Sequence, residues 1–186
     1  YGYDTLVLAL GSVTTYFGID GVAAHSYGIK SVSEIDAFTA HIRDEVVKDH
    51  QLDRNYFVIG AGPTGVELAG ALNQHLGDLK SVHKDLKGTP RVTIVEAAPR
   101  IIPRSSNTAA KIVGRRLKRL GVSVLTNHKV EGLTGDSITI DGKKVPTKTA
   151  IWTSGVANHP FYIAHADHFK LAPNNHVIVD EYLRSH

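Results

Sequence analysis

Residues 56–65 read Tyr-Phe-Val-Ile-Gly-Ala-Gly-Pro-Thr-Gly, a short apolar run followed by glycines in the spacing G-x-G-x-x-G. From Thr64 to about Lys80, apolar residues recur every three or four positions, as on one side of a helix. The glycine spacing alone is a weak signal. Between an apolar strand and an amphipathic helix, however, it is typical of a turn that holds the pyrophosphate of a dinucleotide.

Each glycine of this turn has its own predicted role. Gly60 allows the tight turn, and Gly62 lets a pyrophosphate approach the backbone. Gly65 and Gly70 let the helix pack close to the sheet. The N–H groups at the start of the helix would then face the phosphates. The alternative is a tight turn without a ligand, for which one glycine would suffice.

A carboxylate ends the next predicted strand. Val92–Val95 is apolar and is followed by Glu96, which can accept the hydroxyls of an adenosine ribose and would repel a 2′-phosphate. Glu96 comes 31 residues after Gly65, where about 20 is typical, and the long helix and the loop at 87–90 account for the excess. Arg100 would suggest NADP, but Glu96 stands first at the strand tip, so the sequence favours NAD. The alternative is an acid that only caps the strand.

The same patterns run along the rest of the chain. Ser31 and Glu34 form a capping-box pattern, and Gly121 stands where a left-handed helix cap belongs. The predicted strands are 3–10, 56–59, 92–95, 122–125, 150–152 and 177–179. The predicted helices are 33–50, 64–80 and 108–120, and a loop is predicted at 14–27. Three short segments with alternating apolar residues, separated by hairpin signals, lie at 128–133, 137–140 and 144–145. The predicted fold is α/β: a Rossmann-like three-layer NAD-binding domain with a parallel sheet and a small antiparallel β-meander.

Composition excludes several classes of protein. The 186 residues contain no cysteine, which rules out a disulfide scaffold, a thiolate zinc site and a redox dithiol within the chain. No run reaches the about 20 apolar residues that a membrane span needs, and no signal-peptide pattern stands at the start. The chain begins at Tyr1 and contains no methionine, so we expect a piece of a longer protein. Whether His186 is native or the start of a tag stays open.

A basic cluster and a histidine cluster are both interpreted without a ligand. The basic residues fall in one predicted helix with no accompanying aromatic residues, which favours a solvated helix face over nucleic-acid binding. The histidines lie in an irregular stretch with no fixed ligand geometry, so no metal site is predicted. The two clusters are Lys111, Arg115, Arg116, Lys118 and Arg119, and His159, His165, His168 and His176.

Five stretches together carry a family resemblance. They are Tyr3-Asp-Thr-Leu-Val-Leu-Ala-Leu-Gly-Ser12, Tyr16-Phe-Gly-Ile-Asp-Gly21, Gly60-Ala-Gly-Pro-Thr-Gly-Val-Glu-Leu-Ala-Gly70, Val95-Glu-Ala-Ala-Pro-Arg-Ile101 and Ile151-Trp-Thr-Ser-Gly-Val156. Together they resemble the type II NADH dehydrogenases, single-chain flavoproteins that pass electrons from NADH to quinone, although Asp20 stands where proline is usual. The glycine turn is shared with the wider pyridine-nucleotide–disulfide reductase family, whereas the segment 152–155 is more particular to the NADH dehydrogenases.

The resemblance implies a division of the chain. Residues 1–30 would be a linking strand and loop from an FAD domain that precedes Tyr1, and residues 31–156 would be the NAD(H)-binding Rossmann domain. Residues 157–186 would return toward the FAD domain, with the second FAD contact, the quinone site and the membrane-docking helices beyond His186. We therefore expect this segment alone to show no turnover.

The resemblance also implies site residues. Glu67 would lie near the nicotinamide and the flavin as the catalytic residue, although it could instead be a solvated first-turn acid. Trp152 is interpreted as a core residue rather than a cofactor stacker. The predicted NAD contacts are Gly60, Gly62, Pro63, Thr64, Gly65, Glu96, Ala97, Val130, Ser154, Gly155 and Val156, and the predicted FAD contacts in the whole protein are Ala9 and Gly11.

The predicted function is that of the NADH-binding domain of an FAD-dependent oxidoreductase, in which hydride passes from NADH to flavin and electrons pass on to quinone. The implied partners are NADH, quinone and a second copy in a homodimer, without nucleic acid. The whole protein would lie in the cytoplasm at the inner face of the membrane. Two alternatives stay open: the NAD(P)H domain of a ferredoxin or disulfide reductase, and a nucleotide-sensing module without turnover.

Overall fold

The structure is a computed structural model that describes residues 2–185, and the chain within it divides into two compact units. One unit is formed by residues 16–154, and the other by residues up to 15 together with those from 155 onward. Tyr1 and His186 lie outside the described residues, so the structure does not bear on whether His186 is native.

The helices and strands are numbered in chain order. The strands are β1 (Ser12–Thr14), β2 (Asn55–Ile59), β3 (Arg91–Glu96), β4 (Ser123–Thr126), β5 (Val130–Leu133), β6 (Ser137–Ile140), β7 (Lys143–Pro146), β8 (Thr149–Trp152) and β9 (Val156–Asn158). The helices are α1 (Val22–His25), α2 (Val32–Val47), α3 (Pro63–Val82), α4 (Asn107–Arg119) and α5 (Pro160–Ala164).

A parallel sheet with the strand order β4-β3-β2-β8 forms the centre of the larger unit. Because successive side chains in a strand point to opposite faces, its apolar residues form two cores. On one face, Val58 and its neighbours on the adjoining strands pack against α2, α3 and α4. On the other face, Ile59, Val95 and Trp152 pack against the strands β5 and β6. The predicted three-layer α/β fold is confirmed.

The antiparallel meander β5-β6-β7 supplies the third layer. The turn between β6 and β7 has Asp141 at φ 47° and Gly142 at φ 74°, the pair of positive values that a two-residue hairpin of this kind needs. The predicted loop at 14–27 is wrong in part, because it contains the short helix α1. Val22 of that helix is fully buried in the core beneath the meander, which explains why this turn of the chain is ordered as a helix.

Helix α2 is tied to the sheet by a buried polar cluster. Glu45 is 3% exposed, and its carboxylate accepts a hydrogen bond from the Tyr56 hydroxyl, with the Thr149 hydroxyl at 3.4 Å and His41 Nε2 at 3.3 Å. Burial and the neighbouring Glu45 raise the pKa of Tyr56 well above its ordinary value. The buried carboxylate is thus satisfied by hydrogen bonds, as a buried charge requires.

Two predicted strands are wrong. The run at 3–10 forms no strand, and its side chains are exposed, with Leu6 at 60% and Val7 at 81%. A strand needs a neighbour to pair with, and the described residues offer none to this run. The run at 177–179 forms only isolated bridges, between Leu171 and Val177 and between Val179 and Ser185. In the smaller unit, the regular pairing joins β1 and β9, antiparallel.

Candidate functional site

The predicted glycine turn joins β2 to α3. Gly60 has φ 107°, in the region that favours glycine, and its N–H donates to the Val95 carbonyl at 2.8 Å. A Cβ at Gly60 would lie 2.3 Å from Ser154 Oγ. The turn therefore needs glycine at this position both for its backbone and for its space, as the sequence predicts.

Gly65 brings the helix against the turn. A Cβ at this position would lie 1.9 Å from the Gly60 carbonyl oxygen and 2.7 Å from Thr153 Oγ1. The close approach predicted for Gly65 is confirmed. The same prediction for Gly70 is wrong, because a Cβ there would lie 3.5 Å from a methyl of Leu120, an ordinary contact that alanine could make.

Gly62 is different from both. It has φ −66° and ψ 176°, which any residue adopts, and a Cβ there would meet no atom within 4 Å. Gly62 is the N-cap of α3, and no side chain caps the helix. Pro63, which has no N–H, stands at the first helical position, and Thr64 is exposed beside it. Open space thus lies in front of an uncapped helix start, where backbone N–H groups and the helix dipole favour an anion.

Glu96 links the tip of β3 to the glycine turn. Its Oε2 accepts from the Ala61 N–H at 2.7 Å, and its Oε1 accepts from the Ala98 N–H at 2.8 Å. A carboxylate has about four acceptor positions, so these two bonds leave others free. The geometry therefore allows Glu96 to hold the turn and to accept ribose hydroxyls as well. Ala97, the next residue after Glu96, is exposed and is also a predicted NAD contact.

Thr153 is a residue of this site that sequence reasoning missed. Its hydroxyl donates to the Ile59 carbonyl at 2.9 Å, with the Gly60 carbonyl at 3.1 Å, and its own N–H donates to Ile59 at 2.9 Å. Ser154 Oγ also donates to Ile59, at 3.2 Å. The chain after β8 thus fixes the shape of the turn. The only signal in the sequence is the pair of hydroxyl residues that follows an apolar strand.

The loop after Glu96 is braced from its own side. Arg100 Nη2 donates to the carbonyls of Pro103 at 2.6 Å and Ser105 at 2.8 Å, and the Ile102 N–H donates to the Ala61 carbonyl at 2.7 Å. One nitrogen of Arg100 is therefore engaged by its own loop rather than free for a 2′-phosphate. This placement agrees with the preference for NAD that Glu96 predicts.

The remaining predicted contacts of the larger unit lie apart from the turn. Glu67 is exposed in the second turn of α3, so it is not the first-turn acid of the alternative interpretation. Among the described residues it forms no hydrogen bond or ion pair. Val130 is buried in the core of the meander. Trp152 is 3% exposed and its ring lies 6.1 Å from that of Tyr16, as expected of a core residue.

The smaller unit carries four predicted contacts. Gly155 has φ 75°, and Val156 is exposed in β9. Ala9 and Gly11 are exposed, and Gly11 has φ 72°. No observation tests these four assignments, and they stay predictions.

The histidine cluster has local roles. His159 accepts from the Phe161 N–H at the start of α5, and the ring of His165 lies 4.3 Å from that of Phe161. Across the part of the chain that the structure describes, no three His, Cys, Asp or Glu side chains are grouped to hold a metal ion. In residues 2–185, no helix combines the length and apolar character needed to cross a membrane.

Comparison with known proteins gives a consistent set of matches. The profile of the pyridine nucleotide-disulphide oxidoreductase family matches residues 1–186. A type II NADH:quinone oxidoreductase of Staphylococcus epidermidis is 32% identical over 172 residues, which cover 84% of this chain and 41% of that protein. A mitochondrial external alternative NAD(P)H-ubiquinone oxidoreductase B1 of Arabidopsis thaliana is 26% identical, over 86% of this chain and 31% of its own length.

A solved structure shares the whole fold. The water-forming NADH oxidase of Lactobacillus brevis, bound to NADH, superposes with a TM-score of 0.75 at 25% identity and covers 100% of this chain and 37% of that one. The chain thus spans less than half the length of each of these three proteins.

Proposed function

The chain belongs to the pyridine nucleotide-disulphide oxidoreductase family, and from that premise we propose that it is the NADH-binding part of a flavin-dependent NADH:quinone oxidoreductase. One observation carries the proposal: an open, uncapped helix start lies beside a carboxylate at the tip of the neighbouring strand. The first feature suits a pyrophosphate and the second suits a ribose.

The binding mode follows from this geometry. The pyrophosphate lies in the open space at Gly62, against the backbone N–H groups of the first turn of α3, which begin after Pro63. The free acceptor positions of Glu96 receive the adenosine ribose hydroxyls, while its other positions keep the turn in shape. A 2′-phosphate at the same place would bring a second negative charge beside Glu96, so NADH binds in preference to NADPH.

Glu67 is proposed to lie near the nicotinamide, and Val130 and Ser154 are proposed as further NAD contacts. Ser154 is the best supported of the three, because its hydroxyl already lies against the turn at Gly60. For Gly155 and Val156, and for the FAD contacts Ala9 and Gly11, the proposal depends on the family resemblance.

The exposed apolar run of the smaller unit supports a division of the whole protein into an FAD domain and an NADH-binding domain. Residues 5–10 contain three leucines and a valine, and each of these side chains is exposed. Exposed apolar patches of this kind usually mark a surface that another part of a protein covers. We propose that residues 1–30 and 157–186 link to an FAD domain and that residues 31–156 bind NADH.

FAD in the whole protein would supply the two-electron acceptor chemistry, and this chain would present the nicotinamide to it. We further propose quinone as the second substrate, no nucleic-acid partner, a homodimer, and a cytoplasmic position at the inner face of the membrane, contacted through a region outside residues 1–186. A second candidate is a related flavoenzyme with another acceptor, which the match to an NADH oxidase favours.

Calorimetric titration of the 186-residue chain with NADH and NADPH tests the proposal. We expect NADH to bind at least about tenfold more tightly, and Glu96→Gln to remove most of that preference. Glu131→Gln is the matched control, because Glu131 also accepts a backbone N–H, that of Gly142 at 2.7 Å, away from the turn. Equal affinity for the two nucleotides, or no binding of either, would contradict the proposal.

Turnover separates the candidate enzymes. The chain alone should not oxidise NADH, whereas the full-length protein should reduce a soluble quinone. Preferential reduction of oxygen or of a ferredoxin would favour the second candidate. Nucleotide binding with no turnover by the full-length protein would instead indicate a sensing module.

A further inference from the structure

Strand β4 is an open edge of the parallel sheet. In the order β4-β3-β2-β8, the described residues pair β4 with β3 on one side and with no strand on the other. An unpaired edge presents backbone N–H and C=O groups that can pair with an added strand. Four residues, Ser123–Thr126, form this edge.

A groove of about 830 Å³ runs along that edge, between β4 and α4. Gly114 lines the helix side of the groove. No residue of the glycine turn lines it. None of the residues proposed above to contact NADH lines the groove, so the inference drawn from it does not depend on that site.

The groove is strongly basic. Arg100, Lys111 and Lys118 line it, and among the described residues no aspartate or glutamate does. One nitrogen of Arg100, Nη1, is buried and has no hydrogen-bond partner among the described residues. Within residues 2–185, neither lysine takes part in an ion pair. The ammonium groups of the two lysines are thus available to an acidic ligand, whereas Arg100 is held by its own loop.

The stretch of sequence around the groove is also rich in basic residues and lacks acidic ones. Residues 97–130 contain eight lysines and arginines and no aspartate or glutamate. The other 152 residues contain 13 basic and 18 acidic side chains, so the two parts of the chain have opposite net charge. A charge separation of this kind directs binding toward an acidic partner.

We propose that the groove between α4 and β4 docks an acidic, extended segment of a partner protein, which adds a strand to the edge of β4. The backbone of the added strand would pair with Ser123–Thr126, and its carboxylates would meet Lys111 and Lys118. A second copy of this chain does not fit, because pairing two β4 edges would bring two sets of lysines together. Nucleic acid is not favoured, because none of the aromatic side chains within residues 2–185 lines the groove for bases to stack on.

Fluorescence anisotropy with a labelled ten-residue peptide of alternating valine and glutamate tests this docking. We expect Lys111→Glu/Lys118→Glu to weaken binding by about tenfold or more. The control Lys84→Glu/Lys143→Glu makes the same change of charge at exposed sites outside the groove and should change affinity less than about twofold. Equal weakening by the two pairs would overturn the proposal.

Two further measurements distinguish strand addition from charge attraction. A peptide in which prolines replace alternate valines keeps its charge but loses N–H groups, so it should bind at least about tenfold more weakly. Amide hydrogen exchange of the unaltered chain should slow at Ser123–Thr126 when the acidic peptide is bound. Equal binding of the proline peptide, unchanged exchange in β4, or tighter binding of a single-stranded DNA of equal charge would each overturn the proposal.

Discussion

Helix α2 caps its first N–H groups with its own side chains, whereas helix α3 leaves its first N–H groups uncapped. At α2, Ser31 Oγ accepts from the Glu34 N–H at 3.2 Å, and Glu34 accepts from the Ser31 N–H at 2.8 Å. At α3, the N-cap is Gly62, and no side chain takes that role. A start that the chain caps itself stabilises the fold, whereas a start left open is available to an anion. The difference separates a structural helix terminus from a functional one.

The largest expected effect comes from closing the approach of α3 to the turn. Gly65→Ala would place a Cβ 1.9 Å from the Gly60 carbonyl oxygen, and the backbone would have to move. We expect the free energy of unfolding to fall by about 3 kcal/mol or more, with loss of NADH binding. Gly77→Ala is the matched control in the same helix, because a Cβ there meets nothing within 4 Å. It should stabilise the chain by up to about 1 kcal/mol. Equal denaturation midpoints for the two variants would refute the close approach.

Giving α3 the cap that it lacks should separate binding from stability. Gly62→Asp places a capping carboxylate where we propose the pyrophosphate, and the backbone there already suits an N-cap. The free energy of unfolding should rise by a few tenths of a kcal/mol, since aspartate is only slightly better than glycine at an N-cap. NADH affinity should fall about a hundredfold, which corresponds to about 2.7 kcal/mol, because two negative groups would share one place.

Gly62→Ala is the control for that variant, since it adds a methyl without charge. It should lose less affinity than Gly62→Asp, and its free energy of unfolding should fall by up to about 1 kcal/mol, because alanine is a poorer N-cap than glycine. Calorimetry and thermal unfolding measured side by side on both variants decide the matter. If Gly62→Asp binds NADH as the parent does, the helix start does not hold the pyrophosphate.

The features predicted correctly from sequence are those set by neighbours along the chain. The capping box at Ser31, the left-handed Gly121 at φ 82° and the tight turn at Gly60 each depend on a few consecutive residues. Continuous apolar runs also predicted the strands of the parallel sheet, because β2 and β8 are buried on both faces. Local pattern was sufficient for the three-layer fold and for the position of the candidate site.

The errors and omissions depend on distant partners. The run at 3–10 has the composition of a buried strand, but the described residues offer it no strand to pair with. Tyr56 was predicted only as part of an apolar strand, but its hydroxyl donates a hydrogen bond to the buried Glu45, eleven positions earlier. Thr153 could not be assigned because its acceptor, the Ile59 carbonyl, lies 94 positions away in sequence. Contacts of this kind leave no periodic signal.

Thr153 allows a test of what keeps the open helix start in shape without a cap. Thr153→Val keeps the size of the side chain but removes the hydroxyl that lies against the Ile59 and Gly60 carbonyls. We expect a loss of about 1–2 kcal/mol in the free energy of unfolding and a several-fold loss of NADH affinity. Thr93→Val, in β3, is the control, because within the described residues its hydroxyl forms no hydrogen bond. A loss of equal size in the control would mean that the hydroxyl of Thr153 does not brace the turn.

The smallest effect is expected at a helix start that the chain caps itself. Ser106 Oγ accepts from the Ala109 N–H at 3.1 Å at the beginning of α4. Ser106→Ala should lower the free energy of unfolding by about 1 kcal/mol, the usual value of an N-cap, and leave NADH affinity within about twofold of the parent.

Ser106→Asp should restore that stability, since aspartate caps a helix about as well as serine. The same substituent is then compared at two helix starts, because aspartate at Gly62 should block the nucleotide whereas aspartate at Ser106 should only replace one cap with another. Urea unfolding and NADH titration of both aspartate variants make the comparison. If NADH affinity falls as much with Ser106→Asp as with Gly62→Asp, added negative charge weakens binding regardless of its position. The start of α3 would then not be the site that holds the pyrophosphate.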